Sequence, residues 1–367
     1  MVQSCSPQTP HYRKQVADDI HFQQLRQQVL LAVDGLPLSR LRIARAKAFL
    51  LPLVYAGLYG VAMLQTNYFL FCLAYSILGL MLVIIFLNLI HEASHRILFK
   101  NKKSNDRFML LFDLIGANSY MWNRRHLRLH HNFPNVDGWD SDISKSKYLK
   151  VHPEASNKKG QQYQHLIVAI YPLFITNWFL VRDFKDFFLP KMIVRKIGKV
   201  PRTEFVKLFA CKILFVGYMV LVPAFITSFS LMQSVAALFI MLLTAGLFAL
   251  SVLLPPHVNI ENQFPVANAK MALSQSWFMH QLSTTNDVTK SNWFTRHVMA
   301  NSNFHIAHHL FPNISYVYAR EVTDVIKKYS IAEGLPYRSY PMFTTFKNHY
   351  KLMKRNGRAI DILEEDM

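Results

Sequence analysis

Histidines at helical spacing are the residues in this chain whose types and positions most directly suggest chemistry. Eight of the sixteen histidines lie in three short segments. These segments are His91-Glu92-Ala93-Ser94-His95, His126-Leu127-Arg128-Leu129-His130-His131 and His305-Ile306-Ala307-His308-His309. Imidazole is the commonest side-chain ligand for metals such as iron, zinc and copper. The three segments together therefore predict a metal site.

The spacing within each segment indicates how the imidazoles could be shared between metal ions. Residues four apart lie on one face of an α-helix, which predicts that His91 and His95 act together, as do His126 and His130. His131 follows His130 at about 100° around the helix. The second segment could therefore reach two metal ions, and the third, with spacings of three and four, has the same capacity.

Two kinds of metal chemistry fit these segments. His91-Glu92-x-x-His95 matches the motif in which two histidines hold zinc and the glutamate is the general base of a protease. That site needs only one further ligand and leaves six clustered histidines without a role. Eight imidazoles suit two metal ions, and redox-active metals suit dioxygen activation, which zinc cannot perform. Because the chain has more clustered histidines than one zinc ion needs, we favour a pair of irons. An intramembrane zinc protease is the alternative.

Long uncharged runs must position these histidines. Residues 48–90 and 213–260 contain no charged side chain, and each run can hold two helices of about 20 residues. Polar residues at 65–67 and 228–233 mark the turns. We expect an all-α integral membrane protein whose four transmembrane helices form two hairpins beneath a cytosolic helical cap. The expected layout is an N-terminal cytosolic segment with an amphipathic helix (1–46), a first hairpin (47–90), a cytosolic or interfacial region with the first two histidine segments (91–204), a second hairpin (205–256) and a cytosolic cap with the third segment and the tail (257–367).

Charge distribution predicts the orientation in the membrane. The formal net charge is +19, from 41 Lys and Arg against 22 Asp and Glu. The basic residues flank the uncharged runs and are missing from the two short turns. By the positive-inside rule, both termini and all three histidine segments are expected in the cytoplasm. We interpret the excess charge as topology signals and contacts with membrane lipid headgroups, not as nucleic-acid binding.

Weaker patterns predict the remaining elements. Apolar stretches at 108–115 and 165–181 are too short or too interrupted to span a bilayer, so re-entrant or interfacial helices are expected there. Apolar residues at helical spacing predict helices over 20–33 and 321–328. Gly334, Pro336 and Pro341 predict a loop. Cys5, Cys72 and Cys211 have neither a metal-binding spacing nor an even disulfide framework.

The three histidine segments, in this order and around two hairpins, resemble the histidine boxes of the membrane fatty acid desaturase family. The resemblance runs from about residue 25 to residue 356. It includes Tyr120-Met121-Trp122-Asn123, Phe133-Pro134-Asn135-Val136-Asp137-Gly138-Trp139-Asp140-Ser141-Asp142-Ile143 and Ser276-Trp277-Phe278-Met279-His280-Gln281-Leu282-Ser283-Thr284-Thr285. The chain looks most like bacterial acyl-CoA or acyl-lipid desaturases related to the front-end group. Many front-end enzymes begin the third box with Gln, where this chain has His305. The position of the double bond therefore stays open.

This resemblance implies a reaction and a set of ligands. Two non-haem irons would use dioxygen as co-substrate to place a cis double bond in an acyl chain carried by CoA or by a lipid. The eight box histidines would be ligands. A further ligand, which follows the fourth span in the family, falls on His257, and His280 is a weaker candidate. Hydrogen-bond partners of the imidazoles are expected among Asp140, Asp142, Asn88 and Asn303.

The resemblance also implies an electron donor. The chain contains no His-Pro-Gly-Gly haem segment, so we expect a separate ferredoxin or b-type cytochrome with its reductase. The expected location is a bacterial inner membrane. Related hydroxylases and ketolases with the same boxes stay open as alternatives. A metal transporter is disfavoured because both hairpins lack the intramembrane ionisable residues of a transport pathway.

Overall fold

Helices make up most of this protein. The computed structural model describes residues 9–143, 149–170 and 181–358. Within these ranges, four helices are long and apolar enough to cross a membrane, and we call them spans 1 to 4 in chain order. They are Ser39–Met63, Tyr68–Ser94, Arg202–Ile226 and Leu231–Leu253.

Short polar signals inside the uncharged runs set the ends of these helices. Asn67 caps span 2, because its side-chain oxygen accepts a hydrogen bond from the Leu70 backbone at 3.2 Å. Ser230 and Gln233 form a reciprocal capping box at the start of span 4. Pro255 and Pro256 follow the end of span 4, where proline cannot continue a helix. Both turns therefore lie where the polar residues predict them.

Span 3 begins earlier than the uncharged run that starts at residue 213. Its first turns contain Lys207 and Lys212, and both side chains are paired with acids. Lys207 Nζ lies 2.8 Å from a carboxylate oxygen of Glu204, and Lys212 Nζ lies 2.9 Å from Asp183 Oδ2. Pairing lowers the cost of burying a cation, so these lysines fit on a helix that is otherwise apolar.

Spans 2 and 4 pack closely because Gly79 has no side chain. A Cβ atom at this position would lie 2.2 Å from the carbonyl oxygen of Met241. Small residues allow this kind of backbone approach between membrane helices. The pair forms the centre of the largest apolar core, with Phe71, Tyr75 and Leu78 fully buried.

The other described helices lie outside the four spans. An N-terminal helix, Val16–Val33, covers the predicted 20–33 and packs through Leu25 and Val29 against Ala319–Ala332, which covers the predicted 321–328. The remaining helices of the described residues are Lys102–Phe108, Leu110–Leu114, Ser119–Asn123, Arg124–His130, Gln161–Ile170, Asp183–Phe188, Ile193–Lys196, Trp277–Thr284, Trp293–His297, His305–Leu310, Tyr316–Tyr318 and the longer Met342–Gly357. Much of the predicted interfacial stretch at 165–181 lies outside the described residues.

Two features depart from the predicted pattern near the C-terminus. Asp287–Val288 and Ser339–Tyr340 form a short parallel pair, in which Asp287 lies opposite Ser339 and Val288 opposite Tyr340. The loop expected around residues 334–341 therefore contains a strand. The helix Met342–Gly357 was not predicted. Nδ1 of its His349 hydrogen-bonds to the Val258 carbonyl at 2.7 Å.

Candidate metal centre

Nine imidazoles from four parts of the chain meet in two adjacent groups. In each group the candidate ligand atoms all lie within 4.8 Å of one another. The group of five contains His91, His95, His126, His131 and His308. The group of four contains His130, His257, His305 and His309. Each of the three histidine segments contributes to at least one group, and His257 completes the second.

The separations between Nε2 atoms are those of ligands around a common ion. In the group of five, Nε2 of His126 lies 3.1 Å from Nε2 of both His91 and His131, and His131 lies 3.0 Å from His308. In the group of four, Nε2 of His257 lies 2.6 Å from that of His305 and 3.1 Å from that of His309. Metal–nitrogen bonds of about 2.0–2.1 Å place neighbouring ligand nitrogens roughly 3 Å apart. The donor sets therefore fit two metal ions.

The second histidine segment divides between the groups because its helix is locally widened. Arg124–His130 is a π-helical turn, in which the His131 N–H donates to the His126 carbonyl at 2.9 Å. His126 and His131, five apart, join the group of five, while His130 joins the other. An α-helical reading pairs His126 with His130. Their rings stack, with centroids 5.4 Å apart, and with Asp142 they form a third cluster of candidate ligand atoms within 4.8 Å of one another. Each of the two histidines also belongs to a different one of the two larger groups.

A buried ion-pair network anchors this turn. Arg125 is fully buried one residue before His126, and its guanidinium contacts Asp186 and lies 3.5 Å from Asp183 Oδ1. Both acids belong to the helix Asp183–Phe188. Lys212 of span 3 pairs with the other oxygen of Asp183. The turn is therefore connected through charged groups to span 3.

The other two segments are α-helical, except that His95 lies just past the end of its helix as the C-cap residue. Span 2 continues to Ser94 after a π-helical turn at Phe86–Ile90 that directly precedes His91. In the helix His305–Leu310, His305 and His309 face the group of four, and His308 faces the group of five. Turns of π-helix occur frequently at functional sites, and here they adjoin two of the three segments.

Burial keeps the imidazoles in the form that binds metal. It lowers the pKa of His305 to about 3 and holds the pKa of His131, His308 and His309 well below the usual range. A neutral imidazole offers a lone pair to a metal, whereas a protonated one does not. Nε2 of His95 is buried and has no hydrogen-bond partner among the described residues. A bound metal would satisfy this atom.

Carboxylates and an amide orient three of the rings from outside. His130 Nδ1 lies 3.0 Å from both oxygens of Asp140, and His126 Nδ1 lies 3.2 Å from Asp142 Oδ2. Nδ1 of His309 lies 3.0 Å from Gln281 Oε1. Such partners fix the tautomer that directs Nε2 toward a metal. The role of Gln281 was not predicted, although this residue follows His280 in a segment that carries the family resemblance.

The other two candidate partners, Asn88 and Asn303, make different contacts. Asn88 Oδ1 accepts a hydrogen bond from Lys47 Nζ at 2.7 Å. The amide of Asn303 donates to the carbonyls of Val288 and Lys290. The Asn88 amide also donates to the carbonyls of Ile84 and Val298. Both residues therefore support the backbone around the site and not a histidine ring.

His257 and His280 have different environments. His257 belongs to the group of four, whereas His280 is in neither group and hydrogen-bonds through Nε2 to the Pro134 carbonyl at 2.8 Å. The loop that presents His257 is held by Asn135, whose amide donates to the carbonyls of His257 and Thr284, each at 3.1 Å. Asn135 has φ of 60°, a left-handed conformation that asparagine tolerates. Its position in a Pro-Asn turn is the signal that could have revealed this role.

Glu92 does not have the geometry of a protease base. Its carboxylate accepts hydrogen bonds from Ser315 Oγ at 2.6 Å and from the Tyr316 backbone at 3.2 Å. It belongs to neither histidine group. A zinc protease needs this carboxylate beside a metal-bound water, so the arrangement does not favour that alternative.

An apolar cavity ends at the boundary between the two groups. Side chains of spans 2 and 4 form its walls, and five imidazoles drawn from both groups form one end. The apolar walls include Leu82, Val83 and Phe86 of span 2, Ala245, Ala249, Leu250 and Leu253 of span 4, and also Phe112, Trp122 and Ile143. The imidazoles are His91, His126, His130, His257 and His305. This cavity can place an extended apolar molecule against both groups.

These features define a class: a helical protein with four candidate membrane spans and two adjacent polyhistidine groups at an apolar cavity. Comparison with known proteins identifies the family. The model of the fatty acid desaturase family matches residues 66–341. The chain therefore belongs to the fatty acid desaturase family.

Individual relatives carry consistent names. The sn-1 linoleoyl-lipid 6-desaturase of Synechocystis is 25% identical over 286 residues, which cover 77% of this chain and 79% of the relative. The acyl-lipid (8-3)-desaturase of Physcomitrium patens is 30% identical over 250 residues, covering 67% of this chain and 52% of the relative. The acyl-lipid (8-3)-desaturase B of Dictyostelium discoideum is 22% identical over 331 residues, which cover 86% of this chain and 66% of the relative. The matched part of this chain thus spans about half of the Physcomitrium protein and more of the other two.

Proposed function

We propose that this protein is an oxygen-dependent fatty acyl desaturase that places a cis double bond in a lipid-linked acyl chain. The metal ligands would be His91, His95, His126, His131 and His308 for one iron, and His130, His257, His305 and His309 for the other. Family membership supports the reaction class. The names of the relatives favour an acyl group attached to a lipid over a CoA ester.

One observation carries this proposal: the apolar cavity between spans 2 and 4 ends at imidazoles from both groups. A fatty acyl chain has no polar group near its middle carbons, so it can be recognised only by shape and apolar contact. A narrow apolar site that ends at two metal ions meets that requirement. Nine imidazoles also exceed what one zinc ion needs, and the redox chemistry of desaturation requires a metal that zinc cannot replace.

The chain's own residues contribute position and exclusion of water. When bound, the two irons supply the dioxygen activation that removal of hydrogen from unactivated carbons requires. Leu82, Val83 and Leu250 surround the acyl chain and keep its reacting carbons beside the histidine groups. Asp140 and Asp142 hold His130 and His126 in their ligating orientations, so the distance between the two metal sites is fixed before substrate enters. The reaction needs no acidic or basic side chain in contact with the substrate.

The membrane arrangement belongs to the same proposal. Spans 1 and 2 form one hairpin and spans 3 and 4 another, with both termini and the histidine groups in the cytoplasm, at the inner membrane of a bacterium. The segments 1–46, 91–204 and 257–367 would lie outside the lipid. A separate ferredoxin or b-type cytochrome with its reductase would supply electrons, attracted by the strongly basic chain with its net charge of +19.

Expression in a host with simple membranes tests the reaction. Total fatty acids are analysed by gas chromatography–mass spectrometry, with localisation of double bonds, for the wild type, His130→Ala and the control His11→Ala. His11 is exposed and outside both groups. We expect a new unsaturated acyl chain from the wild type and the control, and none from His130→Ala. An oxygenated fatty acid in its place would contradict desaturation and favour a hydroxylase or ketolase.

A further inference from the structure

A second cavity, which is basic, lies beside the metal centre. We call it the basic cavity. Its charged lining consists of four cations and one acid, with polar and apolar residues between them. The lining includes Arg40, Lys47, Arg296, Arg320 and Glu321, with Ile43, Asn301 and Tyr316 among the others. A surplus of three positive charges in one concave site favours an anion.

The cations of the basic cavity divide into two kinds. Arg40 pairs with Glu321 at 2.5 Å, and Lys47 Nζ donates to Asn88 at 2.7 Å and to the Tyr316 hydroxyl at 3.2 Å. Arg296 and Arg320 are exposed and make no ion pair or side-chain hydrogen bond within the described part of the chain. The paired cations shape the cavity, and the two unpaired guanidinium groups are available to a ligand. Guanidinium is well suited to bidentate binding of phosphate oxygens.

Neighbouring side chains place the basic cavity at the level of lipid headgroups. Arg296 belongs to the short helix Trp293–His297, whose Trp293 is 70% exposed. Phe294 of the same helix lies against Phe248 of span 4, with ring centroids 6.3 Å apart. Tryptophan is enriched where membrane helices meet water. Ile43, near the start of span 1, lines the cavity and is 57% exposed, so the cavity lies near that end of the span.

An intermediate cavity shares lining residues with both the basic cavity and the apolar cavity. Asn301 and Tyr316 line the intermediate cavity and the basic cavity. The intermediate cavity is also lined by His91 and His305, which in turn line the apolar cavity between spans 2 and 4. Its other walls are largely apolar, with Leu87, Leu253, Phe311 and Ile314. The shared residues therefore make the three cavities neighbours: a cationic site, a site beside both histidine groups, and an apolar site.

We propose that the basic cavity binds the phosphate of a glycerophospholipid, whose acyl chain continues toward the metal centre. This inference rests on the proposed function, because it makes the bound phospholipid the substrate. Arg296 and Arg320 are the residues that contact the phosphate, and Lys47 and Arg40 add to the positive potential behind it. The exposed Trp293 lies at the depth of the lipid glycerol.

Binding to the purified full-length protein in uncharged detergent tests the inference without turnover. The probes are dihexanoyl phosphatidylglycerol, dihexanoylglycerol, inorganic phosphate and CoA, with affinities measured by native mass spectrometry. The test variant is Arg296→Gln/Arg320→Gln. The matched control is Lys327→Gln/Lys328→Gln, which removes two exposed charges from the helix that contains Arg320 but outside the cavity. Thermal unfolding confirms that both variants stay folded.

We expect phosphatidylglycerol to bind the wild type more tightly than the other three probes. The test variant should lose roughly tenfold or more in affinity for it, and the control should stay within about twofold. Equal affinities of wild type and test variant would overturn the proposal. Tighter binding of CoA would assign the cavity to a thioester, and tighter binding of inorganic phosphate would assign it to a free anion, so either would overturn it too.

The outcome is distinguishable from that of the proposed function. Failure to form an unsaturated product would contradict desaturation but would leave headgroup binding measurable. Normal product formation together with unchanged phospholipid affinity in the test variant would overturn the headgroup site alone. Slower reduction by the electron donor, with lipid binding unaltered, would assign Arg296 and Arg320 to protein docking and would also overturn it.

Discussion

The backbone N–H of His131 donates to the carbonyl oxygen of His126, five residues earlier, at 2.9 Å. In an α-helix these residues would lie about 140° apart around the axis. The single π-helical turn brings both rings to the group of five and leaves His130 for the group of four. One short segment can therefore serve both proposed metal sites, which fixes their separation.

Replacing these neighbouring histidines should remove different metals. We expect His130→Ala to lose most of the ion in the group of four and His131→Ala most of the ion in the group of five, so that each keeps about one of two. Iron content and Mössbauer spectra of the purified variants measure this, with His11→Ala as control. Retention of both ions, or loss of the same spectral component by both variants, would contradict the assignment.

Asp140 is expected to control metal affinity through His130. Its carboxylate also accepts hydrogen bonds from the backbone of Asn135 and Asp142, each at 2.9 Å, so it is held rigidly. Asp140→Asn should weaken metal binding by roughly 10- to 100-fold, because the amide no longer favours the required tautomer. Competition with a chelator measures the affinity.

Asp137→Asn provides the matched control for that change. Asp137 is on the same loop, but its side chain is 49% exposed and lies 3.8 Å from His152. Metal affinity should stay within about twofold of the wild type. If the two variants behave alike, Asp140 has no specific effect on the metal site.

Much of the fold could be predicted from the sequence, because its strongest signals are local. Uncharged runs interrupted by polar caps predicted the turns just before spans 2 and 4, and repeated histidine spacing predicted the clusters. The start of span 3 could not be predicted in this way. From the sequence alone, Lys207 and Lys212 indicate solvent-exposed charges, because their pairing with Glu204 and Asp183 appears only in the structure.

The division of ligands within the site depends on tertiary structure. The residue types of the second histidine segment do not specify a π-helical turn. The buried pairing of Arg125 with two acids 58 and 61 residues away holds this turn. The contacts of Asn135 and Gln281 are also long-range. His257 was reached only through resemblance to a family, since an isolated histidine after a helix has no spacing to indicate a ligand.

Gly79 should be essential for the packing of spans 2 and 4. Gly79→Ala would place a methyl group 2.2 Å from the Met241 carbonyl, so the helices must separate. We expect a loss of about 1–3 kcal/mol in stability, as for overpacked cores. Thermal unfolding in detergent measures this.

Gly60→Ala is the control, because no atom lies within 4 Å of the added methyl group. This variant should unfold at or slightly above the wild-type temperature. Equal unfolding temperatures would contradict the close approach.

Filling the apolar cavity should change which acyl chains are accepted. Ala249 is on span 4 and lines the cavity, so Ala249→Leu shortens or narrows the space for substrate. We expect turnover of long acyl chains to fall several-fold more than that of short ones, since the added volume displaces distal carbons. Product profiles by gas chromatography measure the ratio.

A lipid-facing change on the same helix controls for that variant. Leu247 is 58% exposed and does not line the cavity, so Leu247→Phe adds volume outside it. Its product profile should match the wild type. An unaltered chain-length profile in Ala249→Leu would show that the acyl chain lies elsewhere.

The most direct test of the central claim is the metal content of the purified wild-type protein, measured by inductively coupled plasma mass spectrometry together with protein concentration. The two histidine groups predict two iron ions per chain. One zinc ion per chain without iron would contradict the account.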